Sequence, residues 1–282
     1  MRADQLLVER GMAASRSQAV RLIAGGLRWR DAGSTDAWRS VVRNRDDVPE
    51  SAELELDDAA ESRYVSRGGL KLEGALVAAG IDVRGRRCLD VGQSTGGFTD
   101  CLLQHDAAHV VGVDVGHGQL HARIRDDARV TAIEQVNARA LGADDLFGAE
   151  DSDDGDESDG RTDFDLVVAD LSFISLTLVL PALVPFLAPR GDMLMLVKPQ
   201  FELQPGQVGK GGIVRDPALY AVVETRLREA CAVLDLRVVR WLDSPIAGGD
   251  GNREFFIHAV HAVHAEGAGG HPGDANAPSA EF

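Results

Sequence analysis

The chain has 282 residues, and its formal net charge is −16, from 45 acidic and 29 basic residues. This length suffices for one large hydrophobic core and a small additional module. No apolar run approaches the length of a membrane span and no signal peptide opens the chain, so we predict a cytoplasmic protein without a membrane partner. The three cysteines lack metal-ligand spacing, which indicates reduced thiols and no metal site.

Lysine is scarce in this acidic chain, with only Lys71, Lys198 and Lys210. A dense carboxylate surface with few lysines is typical of halophilic proteins, although codon bias towards Arg, Ala, Gly and Asp would give the same composition. If arginine replaces lysine wherever it can serve, these three lie where a compact ammonium is needed. The alternative is that three surface lysines remain by chance.

The first 30 residues carry the opposite charge to the rest. Six arginines against Asp4 and Glu9 give +4, which leaves −20 for the remainder. Such asymmetry indicates a module that binds a polyanion, although a solvated helix face is the alternative. The candidate RNA-binding residues in this module are Arg2, Arg16, Arg21 and Arg28.

Two short helices and a strand are predicted in this segment. The first helix contains Leu6 to Val8 and ends at Gly11, and a capping box at Ser15 begins the second. A strand follows from Leu27. In the second helix we expect four apolar residues to face inward, namely Ala19, Val20, Leu22 and Ile23.

The segment LLVERGMAASRSQAVRLIAGGLRW resembles the RNA-binding domain named after ribosomal protein S-four. The resemblance covers about residues 1–60, and its core motif falls on Ser15, Arg16, Ala19, Ile23 and Gly26. It implies a module that docks on structured RNA. Residues 46–62 are acidic and contain a proline, so they are predicted to end this domain and form a linker.

A second domain, residues 61–262, is predicted to open with YVSRGGLKLEGAL. Its first helix begins at Gly68 and Gly69, with an apolar side formed by Leu70, Leu72, Leu76 and Val77. Lys71 lies in the first turn, where a positive charge opposes the helix dipole. This unfavourable position hints at a role other than stabilising the helix.

The stretch CLDVGQSTGGFTD, residues 88–100, is predicted to be a strand, a glycine-rich turn and a helix start. About twenty residues later a second strand, HVVGV, ends at Asp114, which is placed to accept a pair of ribose hydroxyls. A third strand, Val130 to Ile133, precedes Asn137, where an adenine contact is expected. The candidate cofactor-binding residues are Asp90, Gly92, Ser94, Thr95, Gly96, Gly97, Phe98, Asp114, Asn137 and Asp170.

Two nucleotide cofactors compete for this loop. The glycines do not follow the dinucleotide pattern, and the acidic Asp90 precedes them, where it would repel a pyrophosphate. S-adenosylmethionine carries a cationic sulfonium and an ammonium instead, so an acidic strand end favours it. An ordinary glycine-rich turn of an α/β fold is the third possibility.

Later strands complete a doubly wound α/β domain. We predict a strand over FDLVVA that ends at Asp170, a strand from Asp192 to Val197 that ends at Lys198, and a final strand that begins near Glu254. Residues 148–163 are predicted to be a disordered acidic insertion, with metal or protein binding as a weaker option, and residues 263–282 a disordered tail. The glycine-rich loop from 201 to 216 suits a mobile flap, with Lys210 as a further RNA-binding candidate.

Two lysines and two carboxylates from separate segments form the candidate catalytic group: Lys71, Asp170, Lys198 and Glu254. Methyl transfer to a ribose hydroxyl needs in-line geometry and a group that takes the hydroxyl proton. Lys198 is our candidate for that role, Lys71 would position the nucleotide, and the carboxylates would hold the lysines. Two separate structural salt bridges are the alternative.

The motifs DVGQSTGGFTD, YVSRGGLKL, DLSF, LVKPQFE, GKGGIVRD and GNREFF, in this order, resemble the hemolysin A-type (TlyA) rRNA methyltransferases, which are related to FtsJ-like ribose methyltransferases. The resemblance covers about residues 1–262. It implies a Rossmann-like domain that uses S-adenosylmethionine, rRNA or ribosomal subunits as substrate, and methylation of a cytidine 2′-hydroxyl. The family's Lys-Asp-Lys-Glu tetrad falls on the four residues named above.

Three alternative functions remain. A non-catalytic RNA-binding or ribosome-assembly factor is the strongest, because the arginine-rich module could act alone. A hemolysin is poorly supported, since no membrane-active segment is present and the net charge opposes anionic lipid. A base methyltransferase would need an N-P-P-Y-type motif or a nucleophilic cysteine context, and the sequence has neither.

Overall fold

The computed structural model describes residues 1–13, 15–24, 26–56, 63–148 and 161–262. Most of the predicted acidic insertion, all of the predicted tail and the last part of the predicted linker therefore lie outside the described residues. Within the described ranges, no helix is both long enough and apolar enough to cross a membrane.

The N-terminal residues form two helices and a small antiparallel sheet. The elements are α1 (Ala3–Glu9), α2 (Arg16–Ala24), β1 (Leu27–Arg30), β2 (Arg39–Ser40) and β3 (Glu53–Leu56), with sheet order β2-β1-β3. Both predicted helices and the predicted strand are present. Leu7, Leu22 and Leu27 are almost fully buried in a cluster made only of residues from this segment.

The predicted inward position of Val20 is wrong, because its side chain is 41% exposed. Ala19, Leu22 and Ile23 are spaced i, i+3 and i+4, so they share one helix face, whereas Val20 lies about 100° from that face. The predicted position of Val77 on the apolar side of its helix is also wrong. Val77 follows the buried Leu76 directly, so it points about 100° away from it, and it is 76% exposed. In its helix the buried stripe consists of Leu72, Ala75, Leu76 and Ala79.

The larger part of the chain forms a seven-stranded sheet with helices on both faces, as the doubly wound α/β prediction requires. Its strands are β4 (Arg87–Val91), β5 (His109–Asp114), β6 (Val130–Glu134), β7 (Phe164–Ala169), β8 (Leu187–Val197), β9 (Leu236–Asp243) and β10 (Phe255–His261). The helices are α3 (Gly68–Ala79), α4 (Gly97–Gln104), α5 (Ala122–Arg125), α6 (Ala143–Phe147), α7 (Leu176–Leu183), α8 (Pro199–Glu202) and α9 (Ala218–Val233).

Strand order across this sheet is β6-β5-β4-β7-β8-β10-β9. The first five are mutually parallel, and β10 runs antiparallel to both of its neighbours. The sequence did not predict this reversal. Strand β8 also begins at Leu187 rather than Asp192. Its pairing with β7 has a register irregularity, since Phe164 pairs with Leu187 and Leu166 pairs with Asp192.

The central strands are buried on both faces, which explains their continuous apolar runs. Successive side chains point to opposite sides of a strand, so Val167 and Met195 join one apolar cluster while Val168 and Leu194 join the other. The sheet is therefore rigid at its centre, and groups at its carboxyl edge are held in fixed positions.

Candidate active site

Three strands, β7, β8 and β10, bring the predicted catalytic carboxylates and Lys198 to one edge of the sheet. Asp170 follows β7, and Lys198 follows the neighbouring β8. Strand β10 runs in the opposite direction, so its beginning lies at this same edge. Because Phe255 pairs with Val197, the preceding Glu254 lies opposite Lys198.

Lys198 is held between two acceptors. Its Nζ lies 2.6 Å from Oδ1 of Asp170 and donates a hydrogen bond of 2.8 Å to Oγ of Ser172. The Lys198 side chain is only 12% exposed. Sequence reasoning missed Ser172, although its place directly after Asp170 in the DLSF motif was an available signal.

Lys71 reaches the same region from α3. Its Nζ donates to Oε2 of Glu254 at 2.5 Å, and the two side chains are 9% and 3% exposed. Burial raises the pKa of Glu254 even though the charges of Lys71 and Lys198 act to lower it, and the charge of Asp170 raises it further. The two ion pairs therefore influence each other electrostatically.

Two adjoining cavities extend along this edge. The larger, of about 440 Å³, contains Asp114 and Asn137 together with apolar side chains such as Val115 and Ile174. The smaller, of about 160 Å³, contains Lys198 and Phe98. Four residues line both cavities: Gly92, Ser94, Asp170 and Ser172.

The two cavities together form a groove, and the loop after β4 lines both of them through Gly92 and Ser94. Gly92 has φ +85°, and a Cβ at this position would lie 2.5 Å from the carbonyl oxygen of Asp170. Only glycine permits this close approach. Asp114 fixes the other side of the loop, because its carboxylate accepts the amides of Ser94 and Gly116 at 2.8 and 2.6 Å.

Two predicted cofactor contacts lie beneath the groove instead of lining it. Asp90 is fully buried, and a Cβ at Gly96 would meet Leu120. Asp90 Oδ2 accepts a hydrogen bond from Thr99, which in turn accepts one from Gln93, whereas its buried Oδ1 has no partner. Burial raises the pKa of Asp90 to about 7.

The remaining predicted cofactor residues divide between the two cavities. Ser94 lines both, Asn137 lines the larger, and Thr95, Gly97 and Phe98 line the smaller. Sequence reasoning missed Phe173, which lines the larger cavity with a side chain 90% exposed and φ +65°. Its ring lies 5.0 Å from that of Phe201.

The RNA-binding candidates lie outside both cavities. Arg2 is paired with Asp4 at 2.7 Å, and Arg28 with Glu55 at 3.2 Å. Arg16 is exposed at the start of α2, and Lys210 is exposed in a short 3₁₀ turn, Lys210–Gly212. The side chain of Arg21 lies outside the described part of the structure.

Comparison with known proteins identifies the family. The profile of the FtsJ-like methyltransferases matches residues 64–260. The chain is also 44% identical, over 91% of its length and 88% of the other protein, to the 16S/23S rRNA (cytidine-2′-O)-methyltransferase TlyA of Mycobacterium tuberculosis. The chain belongs to the TlyA (hemolysin A) family of FtsJ-like methyltransferases.

Other members share this extent of similarity. The Hemolysin A of Brachyspira hyodysenteriae is 35% identical over 92% of this chain and the whole of that protein. A solved Streptococcus thermophilus structure described as a hemolysin is 36% identical, covers 92% of this chain and 87% of its own, and superposes with a TM-score of 0.67. The sequence similarity to these proteins thus covers nearly the full chain, whereas the FtsJ-like profile covers residues 64–260.

Proposed function

We propose that this protein transfers a methyl group from S-adenosylmethionine to a ribose 2′-hydroxyl of ribosomal RNA, at a cytidine. The observation that carries the proposal is the position of the Lys198 amine, which lies between Asp170 and Ser172 where the two cavities meet. The mycobacterial relative, a 16S/23S rRNA (cytidine-2′-O)-methyltransferase, supports both the RNA class and the nucleotide.

The larger cavity fits the nucleoside part of S-adenosylmethionine. Val115 and Ile174 offer apolar surface for adenine, and the Asp114 carboxylate suits a ribose diol. The carboxylates of Asp170 and Asp114, which line this edge, give it a negative character that favours a cation. When bound, S-adenosylmethionine supplies an electrophilic methyl group on its sulfonium.

Lys198 and its neighbours provide the acid–base chemistry of the proposal. In its uncharged form, Lys198 Nζ would accept the hydroxyl proton while the ribose oxygen takes the methyl group; the carbon–sulfur bond breaks, and its electron pair stays on the neutral thioether that leaves. Asp170 and Ser172 orient the amine before the transfer and hold the ammonium afterwards. The buried Lys71 and Glu254 pair lies beside them and would position the ribose.

We assign RNA recognition to basic groups outside the cavities and to one aromatic ring that borders the larger cavity. The arginine-rich N-terminal segment, with exposed Arg16, and the exposed Lys210 offer phosphate contacts. Phe173 presents an almost fully exposed ring at the mouth of the larger cavity, which suits stacking on a nucleotide base. At high salt, phosphate contacts weaken, so stacking and hydrogen bonds would carry more of the affinity.

The proposal is tested by incubating the protein with labelled S-adenosylmethionine and unmodified small or large ribosomal subunits. Wild type is compared with Lys198→Ala and with Lys198→Arg, which keeps a positive charge but cannot act as a base. We expect 2′-O-methylcytidine in digested RNA from wild type and none from either variant, with S-adenosylmethionine binding retained by calorimetry.

Two results would contradict this proposal. Methyl transfer by Lys198→Ala at the wild-type rate would show that the pair of Lys198 and Asp170 is only structural. No transfer by wild type to either subunit, despite binding of RNA and of S-adenosylmethionine, would favour the alternative of a non-catalytic RNA-binding or ribosome-assembly factor.

A further inference from the structure

Asn252, in the motif GNREFF, is a buried polar side chain that the proposed chemistry does not use. It is 2% exposed. Its Oδ1 accepts the amide of Val214 at 2.9 Å, and its Nδ2 donates to the carbonyl of Gly212 at 2.9 Å and to Asp250 Oδ2 at 2.8 Å. The side-chain amide therefore uses both donors and its acceptor, and two of the three bonds reach the glycine-rich loop about forty residues earlier.

This loop has few hydrogen bonds of its own near the two residues that Asn252 binds, Gly212 and Val214. Gly211 and Gly212 both have positive φ, +79° and +80°, and the turn has two backbone hydrogen bonds of its own, between Gly209 and Ile213 and between Gly212 and Gly209. Ordering a glycine-rich segment is costly in conformational entropy. The hydrogen bonds from Asn252 supply fixed points on the carboxyl side of Lys210.

Asp250 connects the same network to the catalytic lysine's segment. Its Oδ2 also accepts Nε2 of Gln200 at 3.1 Å, and its Oδ1 accepts the backbone amide of Asn252 at 2.9 Å. Gln200 is two residues after Lys198, and Asn252 is two residues before Glu254. One small polar network thus joins the loop of Lys210 to the segments that carry both catalytic ion pairs.

We propose that Asn252 is a positioning residue that holds the glycine-rich loop, with its exposed Lys210, in place for the RNA substrate. This inference rests on the proposed function, because it assigns the loop to the RNA of the same reaction. Among the described residues, Asn252 makes no hydrogen bond with Lys198 or Asp170 and lines neither of the two cavities. Its loss should therefore raise KM for the ribosomal subunit more than it lowers kcat.

The experiment compares wild type, Asn252→Ala, Asn252→Asp and the control Gln207→Ala. Asn252→Asp keeps an acceptor for the Val214 amide, loses both donors and repels Asp250. Gln207→Ala removes one exposed hydrogen bond, from the amide of Gln204, within the same long loop. We expect exchange of the buried Val214 amide to accelerate at least about tenfold in Asn252→Ala, less in Asn252→Asp, and not in Gln207→Ala.

Kinetics provide the functional readout. In Asn252→Ala we expect KM for the subunit to rise about tenfold, with kcat changed by less than about threefold and S-adenosylmethionine affinity unchanged. Adding Lys210→Ala to Asn252→Ala should then cost little more, because both changes remove the same contact. Should Asn252→Ala not fold, Asn252→Asp and its smaller KM increase serve in its place.

Three results would overturn the inference: unchanged exchange at Val214, a loss confined to kcat, or fully additive effects of Asn252→Ala and Lys210→Ala. Failure of the proposed function is distinguishable, since wild type itself would then show no methyl transfer. In that case amide exchange at Val214, together with the subunit Kd in place of KM, decides whether Asn252 holds the loop for RNA.

Discussion

Lys71 and Glu254, 183 residues apart in the chain, form a buried ion pair of 2.5 Å. Lys71 comes from the first turn of α3, and Glu254 immediately precedes the antiparallel β10. Two charges removed from water are stable only as a pair, because each alone would pay the full desolvation cost. The pair therefore couples the position of α3 to that of the sheet edge.

Glu254→Gln should destabilise the protein by about 3 kcal/mol, since it leaves the Lys71 ammonium buried without a counter-charge. The double variant Lys71→Met with Glu254→Leu should regain most of this stability, because apolar side chains of similar size remove the unpaired charge. Both should lose methyl transfer by about 100-fold. Urea unfolding together with the methyl-transfer assay separates the two effects, and a stable, active double variant would contradict a role of the pair in the reaction.

Gly92→Ala should disrupt the groove, and Gly80→Ala provides a matched control. Both glycines have positive φ, +85° and +71°, but a Cβ at Gly80 meets nothing within 4 Å, whereas one at Gly92 would lie 2.5 Å from the Asp170 carbonyl. Gly80→Ala should cost about 1 kcal/mol in the free energy of unfolding, from backbone strain alone. Gly92→Ala should cost more and also displace Asp170, so calorimetry should show weakened S-adenosylmethionine binding only in that variant.

Much of this edge could be predicted from the sequence, because local patterns determine where parallel strands end. Apolar runs that stop at Asp114, Asp170 and Lys198 place these side chains at one edge whatever the order of the strands. The scarcity of lysine pointed to Lys71 and Lys198 for an independent reason. The sequence predicts that the two carboxylates hold the two lysines, and the structure shows which carboxylate pairs with which lysine and at what distance.

The other features of the site could not be predicted from the sequence, because they depend on contacts between segments distant in the chain. The direction of β10 decides that Glu254 faces Lys198, and no local pattern encodes that direction. The sequence places Asp90 near the end of a strand and so predicts a ligand contact, whereas in the structure Asp90 is fully buried and its Oδ2 accepts a hydrogen bond from Thr99. The hydrogen bonds from Gln93 to Thr99 and from Thr99 to Asp90 depend on the conformation of this turn, so the loop motif alone could not reveal them.

A second charged network should affect stability without affecting catalysis. Asp192 Oδ2 accepts from Arg86 at 2.7 Å, and Asp192 Oδ1 lies 2.7 Å from Nε2 of the buried His258. Burial opposes ionisation of Asp192, but hydrogen bonds with His258 and Arg86 outweigh it and lower its pKa. Asp192 is six residues before Lys198 on an extended strand, which separates them by about 20 Å.

Asp192→Asn should therefore lower the free energy of unfolding by about 2 kcal/mol at neutral pH and leave the rate of methyl transfer per folded molecule unchanged. A lowered folded-state pKa stabilises the protein above the unfolded pKa of about 4, and this contribution is lost as pH falls through the folded value. The stability gap between wild type and variant should accordingly close in acid. Urea unfolding between neutral and acidic pH measures it, and a gap independent of pH would exclude the ionised carboxylate as its source.

Asp90 should have the opposite pH dependence. Burial raises its pKa to about 7, so the folded state binds this proton more tightly than the unfolded state does. The stabilisation is fully present below the unfolded pKa of about 4 and is lost as pH rises through about 7.

Asp90→Asn keeps the size of the side chain and an acceptor for Thr99 but cannot ionise. Its stability relative to wild type should thus increase by on the order of 3 kcal/mol between about pH 4 and pH 8. Urea unfolding across this range tests the expectation, and a constant difference between the two proteins would show that Asp90 does not titrate there.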